Sequence, residues 1–303
     1  MKLVTSVLLG LTLIASSAFA VCGPVPTIDG TLDAIYGAAV SVQNTQTQFG
    51  DNSLGVVDYA NGSELDNAYG VIVCNSLYLF LGGNLESNFN KLEIFLDTKG
   101  GGQNKLRNDN PGVDYNGLNR MGDDGSGNGL MFDTGFEADY WIGVTGGWNG
   151  SGYAIYANYA EVLTSGGGLG DYLGTTGAAS SGVLSGGTDH GIQLTLNNSN
   201  VAGVDGGCSA SLGAGVGTGI ELAIPLSLIG DPTCLKVCAF INGGGHDYLA
   251  NQVLGPLPAG TCNLGEPRVV NFGGIAGDQF FLVGCNVTPV SGSTWGGLKR
   301  LYK

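Results

Sequence analysis

Leu77-Tyr78-Leu79-Phe80-Leu81 decides the fold class. Alternation places the three leucines on one face of an extended strand and the two aromatic rings on the other. Both faces are apolar, so both need cover, and the strand is expected at the centre of a sheet packed on two sides. Outward from it, short runs of β-branched, aromatic and aliphatic residues recur between clusters of Gly, Asn, Asp and Ser. They predict strands near 70–74, 77–83, 91–97, 138–144, 153–159, 191–197, 218–224, 235–241, 268–272 and 279–285. With helical periodicity confined to single turns at Thr31 to Tyr36 and Leu226 to Ile229, the pattern predicts an all-β, antiparallel, jelly-roll-like β-sandwich. The 56 glycines follow no three-residue period, which excludes a collagen helix, and they mark turns and long Gly-rich loops at 100–129 and 165–188.

Eleven Lys and Arg against 25 Asp and Glu leave a net charge of -14 over 303 residues. A phosphate grip needs clustered bases, so nucleic acid is excluded as an expected partner. His190 and His246 are the only histidines, too far apart in sequence for a two-His metalloprotease helix. Met1 to Ala20 reads as a signal peptide, with Lys2, an apolar run from Leu3 and the small residues Ala18 and Ala20 before the cut. The run is too short and too polar for a transmembrane segment, and no later stretch is better. The expected organisation is a signal peptide at 1–20, one β-sandwich at 21–287, and a linker with a basic, aromatic tail at 288–303. The chain is expected to be secreted, extracellular or at the cell surface, with the periplasm as the alternative. In that oxidising setting Cys22, Cys74, Cys208, Cys234, Cys238, Cys262 and Cys285 are disulfide candidates: three bridges and one thiol, connectivity open.

Three chemistries fit the side chains. Asp97, Asp109, Asp114, Asp123, Asp124 and Asp139, among many Asn and Gly, offer the oxygen ligands that Ca²⁺ prefers, although the spacing matches no EF-hand. The alternative for these carboxylates is solvated turns. Glu93, Asp97, Glu137, Asp139 and Glu221 lie on or beside predicted strands and supply material for a glycosidase pair. Aromatic rings that stack on sugars are the third: Trp141, Trp148 and Tyr153, with Tyr140, Tyr156 and Tyr159 on the same hairpin. Trp148 leads because it sits in the turn Gly146-Gly147-Trp148-Asn149-Gly150. Asp189-His190 and His246-Asp247 are only neighbours in sequence and do not make a triad. Sequons at Asn61, Asn149, Asn197 and Asn286 occur at the frequency expected by chance in this composition.

Ile28-Asp29-Gly30-Thr31-Leu32-Asp33-Ala34-Ile35-Tyr36, then Leu77 to Leu81, Leu92 to Asp97, Phe136 to Tyr140 and Ile220 to Pro225, resemble the ordered motifs of family 9 carbohydrate-binding modules and the related DOMON-like sandwiches. The run 83–93 is similar to secreted Gly-rich proteins of environmental bacteria of the planctomycete type. The family resemblance implies two antiparallel sheets, a structural metal and a sugar clamped between aromatic rings. The expected function is a secreted, non-catalytic module that binds polysaccharide or a cell-surface glycan, with structural calcium. An extracellular matrix or assembly protein is the alternative, and a glycoside-active enzyme the third reading.

Overall fold

The structure is a computed structural model, and it describes residues 22–49, 62–177, 184–200, 204 and 207–285. The expected signal peptide, the tail at 288–303 and the sequons at Asn61 and Asn286 lie outside the described residues. In chain order the strands are β1 (Ser41–Val42), β2 (Glu64–Val73), β3 (Ser76–Asn84), β4 (Asn88–Asp97), β5 (Tyr140–Trp148), β6 (Tyr153–Glu161), β7 (Gly170–Thr175), β8 (Ser185–Gly186), β9 (Gln193–Leu196), β10 (Gly219–Pro225), β11 (Leu235–Asn242), β12 (Leu249–Leu254) and β13 (Phe281–Val283). The smaller sheet runs β1-β2-β3-β10-β9. The larger runs β12-β11-β4-β5-β6-β7-β8, with β13 also paired to β11. All pairings between strands are antiparallel, so the chain is the expected all-β sandwich.

β3 is the middle strand of its sheet, as its two apolar faces require. Leu77, Leu79 and Leu81 pack between the sheets against Leu92, Ile94 and Leu96 of β4 and Ile142 and Val144 of β5. Tyr78 and Phe80 face the other way and are covered by Tyr36 from the N-terminal segment, with Tyr69 beside them. Buried Glu221 on β10 fastens that segment by accepting from the Asp29 and Gly30 amides and from the Tyr36 hydroxyl at 2.8–3.0 Å. Two of the resembling motifs, distant in sequence, thus meet through one carboxylate.

Residues 268–272 depart from expectation. They join two 3₁₀ turns, Pro267–Val269 and Phe272–Gly274, because Pro267 has no N–H to give a ladder and a Gly pair follows Phe272. β12 was not expected, since Asn251 and Gln252 interrupt its apolar pattern. Both amides are buried and bonded across to the backbone oxygens of Gln46, Thr261 and Thr45. The Gly-rich stretch 165–188 likewise contains β7 and β8. The 100–129 stretch folds over the outer face of the larger sheet, where Leu106, Leu118 and Met121, joined by Leu130 and Phe132, cover Phe95, Trp141 and Phe240.

Three disulfides join Cys22 to Cys74, Cys208 to Cys262 and Cys234 to Cys285. Cys238 on β11 is the free cysteine, wholly buried, and burial pushes its thiol well above the usual range. This bonding suits an extracellular protein. No helix among the described residues is long and apolar enough to cross a membrane.

Candidate functional site

Strand register builds a polar and aromatic surface on the outer face of the larger sheet. Lys91 pairs with Thr145, and Thr145 with Tyr156. One step along, Glu93 pairs with Gly143, Gly143 with Asn158, and Asn158 with Tyr172. The next row, Phe95 and Trp141, is roofed by the apolar cover just described. Apart from Glu93 and Gly143, the residues of the first two rows border a groove of 490 Å³ lined by Phe89, Lys91, Asp114, Tyr115, Thr145, Tyr156, Asn158 and Tyr172. That is a small-ligand volume, with aromatic walls and few polar groups.

Tyr115 stands fully exposed at the rim. Asp114, Tyr115 and Asn116 all have left-handed backbones, with φ of 46°, 54° and 70°, as do Phe89 and His246 beside the groove. Three successive non-glycine residues in this region are costly and persist only where their surroundings hold them. The holding groups are visible: Gly117 N–H donates to Val113 O, the Asn119 amide donates to Asn116 Oδ1, and Asp114 is gripped from two sides.

That grip is a buried charge cluster. His246 Nδ1 lies 2.7 Å from Glu93 Oε1 and its Nε2 lies 3.0 Å from Asp114 Oδ2, while Lys91 Nζ sits 3.0 Å from the same Asp114 oxygen. Lys91 also donates to Thr145, and Glu93 accepts from Trp141 Nε1 at 2.8 Å and from Asn242. Two cations thus face two carboxylates. Burial alone would lower the imidazole's pKa, but Glu93 and Asp114 overcome it and push His246 up to about 9. Burial would raise Asp114, and the His246 hydrogen bond with the Lys91 charge reverses that and leaves it below its ordinary value. A Cβ on Gly117 would come within 2.1 Å of the His246 ring, so only glycine admits the imidazole here.

The cluster gives the protein a pH signature. Between pH 6.5 and about 9 folded His246 keeps a proton that the unfolded chain has released. Its stabilisation is therefore complete below 6.5 and lost as pH rises through about 9, amounting to about 3 kcal/mol. Asp66 on β2, pushed up to about 7 by burial, also lowers stability with rising pH, but between 3.8 and about 7. A fall in melting temperature from pH 7 to 10 that disappears in His246→Gln is expected. A wild-type profile flat across that interval would remove the protonated imidazole from the account.

The expected ligand rings are placed differently. Trp141 is fully buried, its ring lying where a Gly143 Cβ would be and its N–H on Glu93, so it supports the groove floor and cannot stack on a ligand. Tyr153 is buried between the sheets with its hydroxyl on Leu85 O. Trp148 is 45% exposed at the hairpin end but, three residues from Thr145, falls on the opposite strand face from the groove. Alternation along β6 separates outward Tyr156 from inward Tyr153 and Tyr159, and was the available signal. Tyr115, Tyr172, Lys91 and His246 carried no local signal. His246 is linked to Glu93 and Asp114, 153 and 132 residues away, whereas His190 pairs with Asp171 and not with adjacent Asp189.

The six proposed calcium ligands do not converge. Asp97 pairs with Lys236, Asp109 with Arg107, Asp114 with Lys91 and His246, Asp123 with Lys105, and Asp124 with Arg268. Asp139 caps the Thr98 and Lys99 amides. Among the described residues no group of three or more His, Cys, Asp or Glu is arranged to hold a metal ion. Of the carboxylates considered for glycosidase chemistry, Glu93 is sealed beneath the groove and Glu221 lies in the other sheet. Comparison with protein-family models, with curated proteins and with solved structures finds no match to this chain.

Proposed function

We propose that this is an exported glycan-binding β-sandwich that takes a polysaccharide segment in the groove of the larger sheet. The observation that carries the reading is the groove itself, where Tyr115, Tyr156, Tyr172 and Phe89 surround Lys91, Asp114, Thr145 and Asn158. Flat rings suit pyranose faces, and the preset amide, ammonium and carboxylate suit hydroxyls. Asp114, held ionised by its neighbours, is fitted to accept from hydroxyls and poorly fitted to act as a general acid, which favours binding over hydrolysis. The left-handed turn under Tyr115 sets the backbone that presents the ring, which leaves its side chain to order on binding.

A glycan array followed by titration calorimetry tests this. Tyr115→Ala and Tyr156→Ala are each expected to weaken binding about tenfold, near the stabilisation an aromatic stack supplies. Trp148→Ala is expected to leave affinity within about twofold, since its ring is off the groove. Binding that survives loss of both tyrosines but fails without Trp148 would overturn the placement.

A further inference from the structure

A second cavity of 420 Å³ adjoins the groove and shares Lys91, Asp114 and Tyr115 with it. Its remaining walls include Arg120, Arg268 and His246. The chain between Val21 and Val290 has only seven Lys and Arg, at 91, 99, 105, 107, 120, 236 and 268, so three of them meet in this cavity. Against these and the imidazole, Asp114 is the one acidic residue in the cavity wall. The carboxylates that partner the arginines, Glu266 and Asp124, are not part of that wall.

The guanidinium groups retain donors for a ligand. Arg120 gives one N–H from each terminal nitrogen to Glu266, at 2.9 and 2.7 Å. Arg268 gives Nε to Glu266 and Nη1 to Asp124. Each therefore keeps three of its five N–H donors, and the side chains are 33% and 28% exposed. In a body with an excess of acids, three bases held in one concave site, two of them guanidinium groups oriented by carboxylates outside its wall and the third, Lys91, paired with Asp114 within it, form a preset receptor for an anion.

Building on the glycan reading, we propose that the ligand is an acidic glycan: one sugar stacks in the groove beside Tyr115, and its neighbour directs a carboxylate or sulfate ester to Arg120 and Arg268. The shared residues Lys91, Asp114 and Tyr115 make the two cavities one track for consecutive sugars.

The test compares matched pairs on the mature protein by titration calorimetry: oligogalacturonate with its carboxyl-reduced form, and a sulfated galactan oligosaccharide with its desulfated form. The acidic member of one pair is expected to bind about tenfold tighter or more than its neutral partner, and the identity of that pair says which anion is read. The margin should shrink as salt rises from about 0.05 to about 0.5 M. In the double variant Arg120→Gln, Glu266→Gln, which removes both members of the pair and leaves Arg268 its Asp124 partner, the ratio of acidic to neutral affinity should fall several-fold toward one. Equal affinities within both pairs would overturn the acidic preference and leave the glycan reading standing. Binding to none of the four probes would overturn the acidic preference, and if the glycan array were also blank the glycan reading would fall with it. The wild-type comparison and its salt dependence decide the matter even if the variant does not fold.

Discussion

Glu93→Gln is expected to destabilise the protein by about 3–5 kcal/mol. Each carboxylate oxygen of Glu93 receives a donor: Oε1 takes His246 and Asn242, and Oε2 takes Trp141. A glutamine offers one acceptor and one amide NH₂, so whichever way it turns, an N–H confronts an N–H in a fully buried site. The loss also leaves Lys91 and His246 facing Asp114 alone, which upsets the charge balance in surroundings with little water. Denaturant unfolding should show a lower midpoint at unchanged slope, and glycan affinity should fall as the Asp114 to Asn116 turn loosens. A loss under about 1 kcal/mol would mean that water enters the cluster and that the carboxylate is not isolated as the burial indicates.

Removal of the Cys234–Cys285 bridge by paired Ser substitutions is expected to cost about 4 kcal/mol, the loop-entropy value for a separation of 51 residues. This bridge ties the start of β11 to the chain just after β13, where the two strands pair through Leu235 and Val283. Without it β13 is a three-residue strand held by its ladder and by Phe281 and Val283 in the core. Thermal unfolding with and without the bridge measures the cost. Alkylation with mass spectrometry checks the pairing: one thiol, Cys238, should react, and only after unfolding. Reaction of three or more cysteines in exported, non-reduced protein would contradict the bonding pattern.

The two effects arise from different sources. The disulfide acts largely on the unfolded chain, whereas Glu93 acts on the folded one. The pH profile of the Glu93 variant should therefore lose the His246 slope, while that of the disulfide variant should keep it, because the second change is remote from the imidazole's partners.

Much of the architecture was legible because it is written at short range. The two-residue period of Leu77 to Leu81 places β3 at the centre of its sheet, and the same period in β4, β5, β6, β10 and β11 marks the sandwich. The turn at Leu226–Ile229 follows from Pro225 before it and Gly230, with a left-handed φ of 84°, after it. β12 and β7 were hidden because buried Asn251 and Gln252 and the glycines of 165–175 imitate a loop until long-range partners satisfy their backbone and amide groups. The 100–129 stretch was read as a solvated or ion-binding loop because its leucines and methionine are scattered among polar residues, and only the sheet beneath gathers them on one side.

What the sequence determined alone was the fold class, the cysteine arithmetic and the acidic balance, because periodicity, counting and net charge need no knowledge of which distant residues meet. The tertiary structure decided which rings are open and which are sealed. It buried Trp141 and Tyr153, moved Trp148 off the groove and lifted Tyr115 onto its rim. It also decided the partners of every key charge. Glu93, Asp114 and His246 come from a strand, a covering segment and a turn separated by 132 residues or more from the histidine, and three of seven bases are drawn into one cavity. The physical reason is that strand alternation is local, whereas burial and charge pairing are set by register between strands and by the segment that folds across them.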